Sequence, residues 1–362
     1  MKIDKESNQN YGCCSGADDI SVENSVSDIV DIDESSPTVK LKKNVIDEGD
    51  VYFPKRLSMN LQFEDIKYTV GKFSFQNRKF ENKTILNGLT GEFKSGELTA
   101  IMGPSGAGKT TLLNILAGYV ETGVTGVIKV NGKHRSNNSQ SFRSFAAYIH
   151  QEDALRPYLT VCEAMTIATN LKLGYNVTKE YKSQMIKNIL VLLGLEKRYK
   201  TYTGRLSGGQ KKRLAIALEM INNPPIIFLD EPTTGLDSSS CTQCITLLKR
   251  LAQEGRTIIC TIHQPSALIF EMFDKLYAVA GGNCIYQGPA RQLVPFMANV
   301  GLQCPSYHNP ADFLMEVASG DYGNDLTKVM SSAVEKLCKD NFNGGIIIEQ
   351  IDEHVADTAD TD

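Results

Sequence analysis

The chain has 362 residues, 41% of them hydrophobic, so it can bury a core large enough for one or two domains. Its formal net charge of -4 excludes the general basic surface of a nucleic-acid-binding protein, and we expect no nucleic-acid partner. The nine cysteines are scattered and odd in number, which is typical of a reducing compartment. Apolar runs fall short of the roughly 20 residues that cross a bilayer, so this chain alone is predicted to be soluble.

Both ends of the chain are interpreted as tails around one folded domain. Residues 1–56 are rich in Asp, Glu, Ser and Asn, and they cannot bury enough apolar surface to offset the entropy of ordering. We predict a disordered acidic tail there. Residues 325–362 end in a short acidic run and are interpreted as a linker or tail without a transmembrane domain. The folded domain is then residues 57–324.

The folded domain begins with predicted strands. Alternating apolar residues over 61–70 predict one strand, and a second is expected near 73–80. An apolar strand over 97–102 runs into a glycine-rich loop, and a helix is predicted over 109–117. Residues 126–130 predict another strand before a tight turn.

A mostly helical insertion is predicted over about 152–206. Thr160 and Glu163 have the spacing of a capping box, so a helix is expected to begin there and run toward Leu173. Apolar residues over 185–193 recur at helical spacing before Gly194. After the insertion, β-branched runs at 226–229 and 257–262 predict strands that are buried on both faces of a parallel sheet.

The glycine-rich loop carries the most specific motif. Residues 103–110 match G-x-x-x-x-G-K-[ST] between a strand and a helix, which predicts a phosphate-binding loop rather than a flexible glycine turn. Loop amides and the helix N-terminus would hold phosphate oxygens, Lys109 would reach the β- and γ-phosphates, and the Thr110 hydroxyl would bind Mg²⁺. The candidate phosphate-binding residues are Gly103, Pro104, Ser105, Gly106, Ala107, Gly108, Lys109, Thr110 and Thr111.

Two carboxylates follow the apolar strand at 226–229. In a phosphate-loop protein, Asp230 is placed to hold Mg²⁺, and Glu231 is the natural general base for the attacking water. Taken alone, the pair would be interpreted as an ordinary polar strand end. Its position after a buried strand, in a chain with a phosphate loop, favours the catalytic interpretation.

A second anion site is predicted before the helix at 211–220. Ser207 supplies an N-cap, and the adjacent glycines expose backbone amides at a helix start. The residues concerned are Ser207, Gly208, Gly209 and Gln210. A linker-like S-G-G is the alternative. The following Lys211, Lys212 and Arg213 are interpreted as a solvated face, and Cys241 and Cys244 as small residues one helical turn apart rather than metal ligands.

Together these motifs resemble the nucleotide-binding domain of ABC transporters. The resemblance implies an α/β fold: a P-loop NTPase core with a parallel sheet, an N-terminal antiparallel β-subdomain and a helical insertion subdomain. Four segments are similar to the G subfamily of White-type half-transporters, and residues 313–323 to its sterol- and lipid-associated branch. The family motifs are residues 103–110, Gln151, residues 206–210, Asp230-Glu231, residues 235–237 and His263, and the subfamily segments are residues 222–225, 261–266, 286–289 and 309–313.

The resemblance also implies roles for these residues, with ATP and Mg²⁺ as cofactors. Glu231, His263 and Gln151 would be catalytic, as base, γ-phosphate contact and contact to the lytic water. Thr110, Gln151 and Asp230 would be ligands of Mg²⁺. Residues 207–210 would act on the ATP of a partner subunit, with Asp237 on the shared interface. Tyr68 matches an aromatic that stacks on adenine in relatives, or it is a core or surface tyrosine.

The function implied is that of an ATP-hydrolysing subunit of a transmembrane transporter, with ATP sandwiched between head-to-tail protomers. The partner would be another half-transporter, in a homo- or heterodimer, and the process G-subfamily lipid or sterol export. The location implied is the cytoplasmic face of a membrane. The helical insertion around 158–164 would couple hydrolysis to a membrane-spanning domain that a missing C-terminal part or a partner supplies.

The absence of membrane helices leaves several interpretations open. The sequence is a partial gene model, a short splice form or a free-standing subunit, and a truncated product of a half-transporter gene is expected. Two alternative functions stand beside the transporter ATPase: a truncated isoform that regulates a full-length half-transporter, and a soluble ABC ATPase of translation or DNA maintenance. The single nucleotide domain and the net charge of -4 disfavour the latter.

Overall fold

The structure of the chain is a computed structural model that describes residues 58–74, 79–135 and 139–343. Within these ranges the chain forms one antiparallel sheet, one mostly parallel sheet and the helices that cover them. The predicted acidic tail at 1–56 lies outside the described residues. The α/β fold class expected from the sequence is confirmed.

The four-stranded sheet is antiparallel and has the order β2-β1-β4-β5. One prediction here is wrong, because residues 73–80 are not a single strand. β1 ends at Ser74, β2 begins at Lys79, and the two are paired antiparallel with Phe73 opposite Phe80. The apolar residues at 73 and 80 thus lie on two paired strands. The strands are β1 (Leu61–Ser74), β2 (Lys79–Phe93), β4 (Val124–Val130) and β5 (Lys133–His134).

The six-stranded sheet has the order β10-β9-β3-β8-β7-β6, and its strands are parallel except for β10. Ile227 and Leu229 of β7 face the core under the helices, whereas Ile226 and Phe228 face the core between the sheets. This double burial explains the continuous apolar run. The strands are β3 (Leu98–Met102), β6 (Ala146–Ile149), β7 (Ile226–Leu229), β8 (Thr257–Thr261), β9 (Lys275–Ala280) and β10 (Asn283–Pro289).

The helices begin close to where the sequence predicts. Thr160 caps α3, and both hydrogen bonds of the capping box with Glu163 are present, so this prediction is confirmed. None of the helices in the described ranges is long and apolar enough to cross a lipid bilayer. They are α1 (Lys109–Leu116), α2 (Ser139–Phe145), α3 (Val161–Leu173), α4 (Lys179–Leu192), α5 (Gly208–Met220), α6 (Ser238–Gln253), α7 (Ala267–Glu271), α8 (Leu293–Asn299), α9 (Pro310–Ser319) and α10 (Asn324–Asn343).

The segment interpreted as a C-terminal linker begins with a helix. α10 covers Asn324–Asn343 and packs along β10. Met330 and Val334 are buried, and their spacing of four residues places them on one face of the helix. The interpretation as a linker overlooked this sparse apolar stripe because polar residues surround it.

The parallel strands place four loops at one edge of the sheet. β3, β6, β7 and β8 run in the same direction, so the residues that follow their carboxyl ends are neighbours. In open α/β sheets, ligands bind at this edge. The segments that begin there are residues 103–110, 150–153, 230–237 and 262–266.

Candidate active site

The glycine-rich loop joins β3 to α1 and requires glycine at two places. A Cβ at Gly103 would lie 2.1 Å from the carbonyl oxygen of Val279, so a side chain is excluded there. Gly108 has φ 103° and precedes α1 without any side-chain cap. The amides at the start of α1 therefore have no capping side chain, which leaves a helix N-terminus available to an anion.

Lys109 is the first residue of α1, and its side chain folds back onto the loop. Its Nζ donates hydrogen bonds to the carbonyl oxygens of Gly103 at 2.8 Å and Pro104 at 3.1 Å. Burial lowers the pKa of the Lys109 ammonium, while the negative charges of Glu231 and Asp230 oppose that shift. The loop thus holds a buried cation beside two carboxylates, and a bound anion would favour its charged form.

Asp230 is buried at the end of β7 and is held by two hydroxyl groups. Thr110 Oγ1 donates to Asp230 Oδ1 at 3.0 Å, and Thr261 Oγ1 donates to the same oxygen at 2.6 Å. Thr110 and Asp230, both predicted metal ligands, are thus in direct contact. Thr261 was not predicted from the sequence.

Glu231 has a strained backbone and a fixed carboxylate. Its φ is 45°, which L-residues with a Cβ rarely adopt, and its amide donates to Thr261 Oγ1 at 2.8 Å. Oε2 accepts hydrogen bonds from Thr234 Oγ1 at 3.0 Å and from Gln151 Nε2 at 2.8 Å. A strained backbone of this kind persists only where many surrounding contacts enforce it, and such residues cluster at functional sites.

The loop after β6 carries Gln151, and α5 anchors it. Gln151 is exposed, yet its side chain reaches Glu231. Lys212 Nζ donates to the carbonyl oxygens of Gln151 at 2.9 Å and His150 at 3.2 Å, and it pairs with Asp153 Oδ1 at 2.7 Å. The prediction of a solvated face is therefore wrong for Lys212, whose side chain is only 2% exposed, because its ammonium is drawn inward by two carbonyl groups and a carboxylate of this loop.

The second predicted anion site lies at the start of α5. Ser207 accepts from the Gln210 amide, and the Gln210 side chain accepts from the Ser207 amide, which completes a capping box. Ser207 and Gly208 are exposed. Gly209 is buried, since a Cβ there would lie 2.7 Å from the Cβ and Oγ of Ser240.

Asp237 caps α6 and links the loop after Glu231 to that helix. Its carboxylate accepts from the Ser240 amide at 3.1 Å and from Ser240 Oγ at 2.7 Å. These hydrogen bonds lower the pKa of the exposed Asp237 carboxyl. Through Ser240, which lies against Gly209, the start of α6 meets the start of α5.

His263 follows β8 and is exposed. Among the described residues, no hydrogen bond restrains its side chain. The next residue, Gln264, has φ 45°, so the loop turns sharply immediately after the histidine. The structure thus leaves the His263 imidazole accessible at the edge of the sheet where Asp230 and Glu231 lie.

Comparison with known proteins decides the family. Residues 86–234 match the family model described as ABC transporter, and residues 263–337 match the one described as ABC-2 type transporter. The chain belongs to the ABC transporter family.

The relatives of this ABC chain are members of the G subfamily. It is 41% identical over 270 residues to the broad substrate specificity ATP-binding cassette transporter ABCG2 of Sus scrofa, covering 72% of this chain and 40% of that protein. It is 38% identical over 294 residues to the ABC transporter G family member 14 of Arabidopsis thaliana, covering 78% of this chain and 45% of the relative. The chain therefore spans less than half of these relatives.

A solved structure supports the fold of this ABC chain. The dimeric structure of a bacterial ABC transporter cassette superposes with a TM-score of 0.54 at 26% identity, covering 64% of this chain and 99% of that one. The recognition of the family from sequence motifs and the ABC ATPase fold are thereby confirmed.

The residues of the ABC chain fit a nucleotide with Mg²⁺. The phosphate loop offers backbone amides and an ammonium, and Thr110 and Asp230 offer the hard oxygen ligands that Mg²⁺ takes. In the described ranges, no group of three or more His, Cys, Asp or Glu side chains could hold a metal by itself.

The remaining loop residues lie along the same edge. Ser105 and Gly106 at the tip are exposed, Pro104 and Thr111 are half-buried, and Ala107 packs into the core between the sheets.

Tyr68 is half-buried on β1 and packs against the same core. The side chains of Cys241 and Cys244 are buried in α6, and burial raises the pKa of Cys244 to about 12, which disfavours the thiolate that binds metals.

The sequence analysis missed three residues of this site. Thr261 contacts Asp230 and Glu231, Thr234 contacts Glu231, and Lys212 anchors the loop of Gln151. Thr234 lies three residues after Glu231, so a local turn search could have found it. Thr261 and Lys212 carry no local signal, because their contacts depend on the order of the strands.

Proposed function

We propose that this chain binds ATP with Mg²⁺ and hydrolyses it as the catalytic subunit of an ABC transporter. The observation that carries the proposal is the fixed carboxylate of Glu231, held by Gln151 and Thr234 beside Asp230 at the edge that bears the phosphate loop. A general base needs this orientation before its basicity can matter. Residues 57–324 would form the nucleotide-binding domain, with the helical subdomain at about 152–206.

In the proposed reaction, Glu231 accepts a hydrogen bond from the attacking water and so polarises that water toward the γ-phosphate. Lys109 holds the β- and γ-phosphates, and His263 contacts the γ-phosphate. Mg²⁺, when bound, neutralises developing charge on the phosphates, and Thr110, Asp230 and Gln151 would hold it. Base catalysis of this type contributes about 10²- to 10⁴-fold to the rate.

The chain is proposed to act as a dimer, with itself or with another half-transporter. In the described ranges, no hydrogen bond or ion pair joins residues 206–210 to residues 103–111, and Ser207 and Gly208 face solvent. The helix start at Ser207 is therefore free to meet a phosphate of another protomer. The dimeric state of the bacterial cassette supports this arrangement.

The proposed process is transport at the cytoplasmic face of a membrane, with lipid or sterol as the exported class. The lipid assignment comes from the resemblance of residues 313–323, whereas the Sus scrofa relative is a transporter of broad substrate specificity. Tyr158, at the start of the segment proposed for coupling, has 88% of its surface exposed.

The test is ATP turnover by the purified 362-residue chain, alone and mixed with a full-length relative of the G subfamily. Turnover that depends on Mg²⁺ and on chain concentration supports the dimeric ATPase. Absence of ATP binding both alone and in the mixture would contradict the proposal. Inhibition of the relative by a chain that binds ATP without turnover would instead favour a regulatory isoform.

A further inference from the structure

Lys212 lies on α5, two residues after Gln210, and is buried together with its positive charge. Its side chain is 2% exposed, and that of Asp153, its partner at 2.7 Å, is 16% exposed. The ammonium also donates to Gln151 O at 2.9 Å and His150 O at 3.2 Å. The ammonium therefore directs two of its three donors at carbonyl groups of this loop, and Asp153 lies within ion-pair distance of it.

These contacts connect α5 to the proposed general base through a single residue. The backbone of Gln151 accepts from Lys212, and its side chain donates to Glu231 Oε2 at 2.8 Å. On its other side, the His150 ring packs at a tilt of 50° against the Tyr148 ring, with ring centroids 4.7 Å apart. The loop is therefore held between a lysine of α5 and the sheet.

A simple ion pair would not account for this geometry. A buried pair of opposite charges gives little net stability, because the cost of desolvation offsets the attraction. Pairing Lys212 with Asp153 would need one acceptor. The two additional acceptors are consecutive carbonyl groups at His150 and Gln151, so the lysine fixes the backbone that carries the glutamine.

We propose that Lys212 is a positioning residue that sets the placement of Gln151 against Glu231, so that the position of α5 controls the base. This inference rests on the proposed ATPase function. When the start of α5 binds nucleotide across a dimer, α5 would shift. Lys212 would transmit this shift to the loop that carries Gln151. Turnover would then depend on Lys212 even though the side chain touches no reacting atom.

The test uses four variants of the full chain. Lys212→Met keeps the apolar stem and removes the ammonium, Asp153→Asn removes the partner charge, and the double variant removes both. Lys211→Met is the matched control, since Lys211 is the neighbour on α5 and makes no ion pair in the described part of the chain. Each variant is measured for kcat and KM of ATP, for thermal stability, and for amide hydrogen exchange over residues 150–153.

We expect Lys212→Met to lower kcat about tenfold with little change in KM, since misplacing a catalytic group by 1 Å costs up to about 10²-fold. The double variant should be more stable than Lys212→Met, because it leaves no unpaired buried charge. Its kcat should stay as low as that of Lys212→Met. Amide hydrogen exchange over residues 150–153 should be faster in Lys212→Met and in the double variant than in the wild type. Lys211→Met should match the wild type.

A double variant that regains kcat together with stability would overturn the proposal, as would unchanged exchange over residues 150–153 in Lys212→Met. Hydrogen exchange needs no catalysis, so it separates the two proposals. If the wild-type chain showed no turnover either alone or mixed with a full-length relative, the ATPase function would fail, while exchange would still decide whether Lys212 holds the loop.

Discussion

The Gln151 side chain donates a 2.8 Å hydrogen bond to Oε2 of Glu231. The two residues follow neighbouring parallel strands, β6 and β7, whose carboxyl ends lie side by side. The contact brings a residue after one strand onto a carboxylate after the next. Thr234 donates to the same oxygen, and no residue in the described ranges donates a side-chain hydrogen bond to the other carboxylate oxygen of Glu231.

Glu231→Gln should strongly reduce turnover and keep ATP binding. The amide preserves the shape of the side chain but cannot accept a proton, so kcat should fall by about 10²- to 10⁴-fold. ATP-bound dimer should accumulate, which light scattering would detect. Glu196→Gln, at an exposed position outside the site, should behave like the wild type. Normal turnover in Glu231→Gln would remove Glu231 from the role of base.

Glu231→Gly should be more stable than Glu231→Ala. The left-handed backbone at φ 45° costs a residue with a Cβ about 1–2 kcal/mol, and glycine avoids that cost. We expect a difference of about 1 kcal/mol in the free energy of unfolding, measured by urea denaturation. At the exposed helical position Lys187 the order should reverse, because glycine is about 1 kcal/mol worse than alanine in a helix. Equal stabilities at 231 would show that no strain is stored there.

Thr261→Val should lower the free energy of unfolding by about 1–3 kcal/mol, and it should also lower ATP turnover. The substitution keeps the shape but removes the hydroxyl that donates to Asp230 and accepts from the Glu231 amide, leaving buried polar groups unsatisfied. Thr99→Val is the matched control on β3, because Thr99 Oγ1 is buried and no partner for it is found within the described ranges. That variant should be neutral or slightly stabilising. Equal losses from the two variants would contradict the role given to Thr261.

Gly209→Ala should lower the melting temperature by several degrees, whereas Gly208→Ala should leave it nearly unchanged. A methyl group at 209 meets both Cβ and Oγ of Ser240 at 2.7 Å, on a helix that cannot move easily. At 208 the nearest atom is the end of the Leu236 side chain at 3.1 Å, which can rotate away. Thermal unfolding of both variants measures the difference, and a similar melting temperature for the two would show that α5 and α6 are not closely packed there.

ATP binding should take up protons at alkaline pH. Burial lowers the pKa of Lys109 from 10.5, and the charge of the phosphates would raise it again. In the window between the lowered pKa and 10.5, the free chain has lost a proton that the complex regains. In the same window the unfolded state binds more protons, so stability should rise with pH. Calorimetry in two buffers of different ionisation enthalpy measures the uptake, and its absence up to pH 10 would contradict the burial effect.

The candidate site was predictable where its chemistry depends on contiguous residues. The phosphate loop follows from glycines that permit positive φ before a helix, and the cap at Ser207 from a side chain that reaches the amide three residues later. The antiparallel pairing of Phe73 with Phe80 and the burial of Lys212 did not follow, since both are set by the segments that pack against them.

The sequence by itself determined the motif residues, their placement at the ends of strands, and the family that combines them. Only the tertiary structure decided that Thr110 meets Asp230, 120 residues away, and that Lys212 holds the backbone of Gln151, 61 residues away. The reason is physical. A turn or a cap is fixed by the few residues that form it, whereas the partners of a buried hydroxyl or ammonium depend on which strands and helices the whole core brings together.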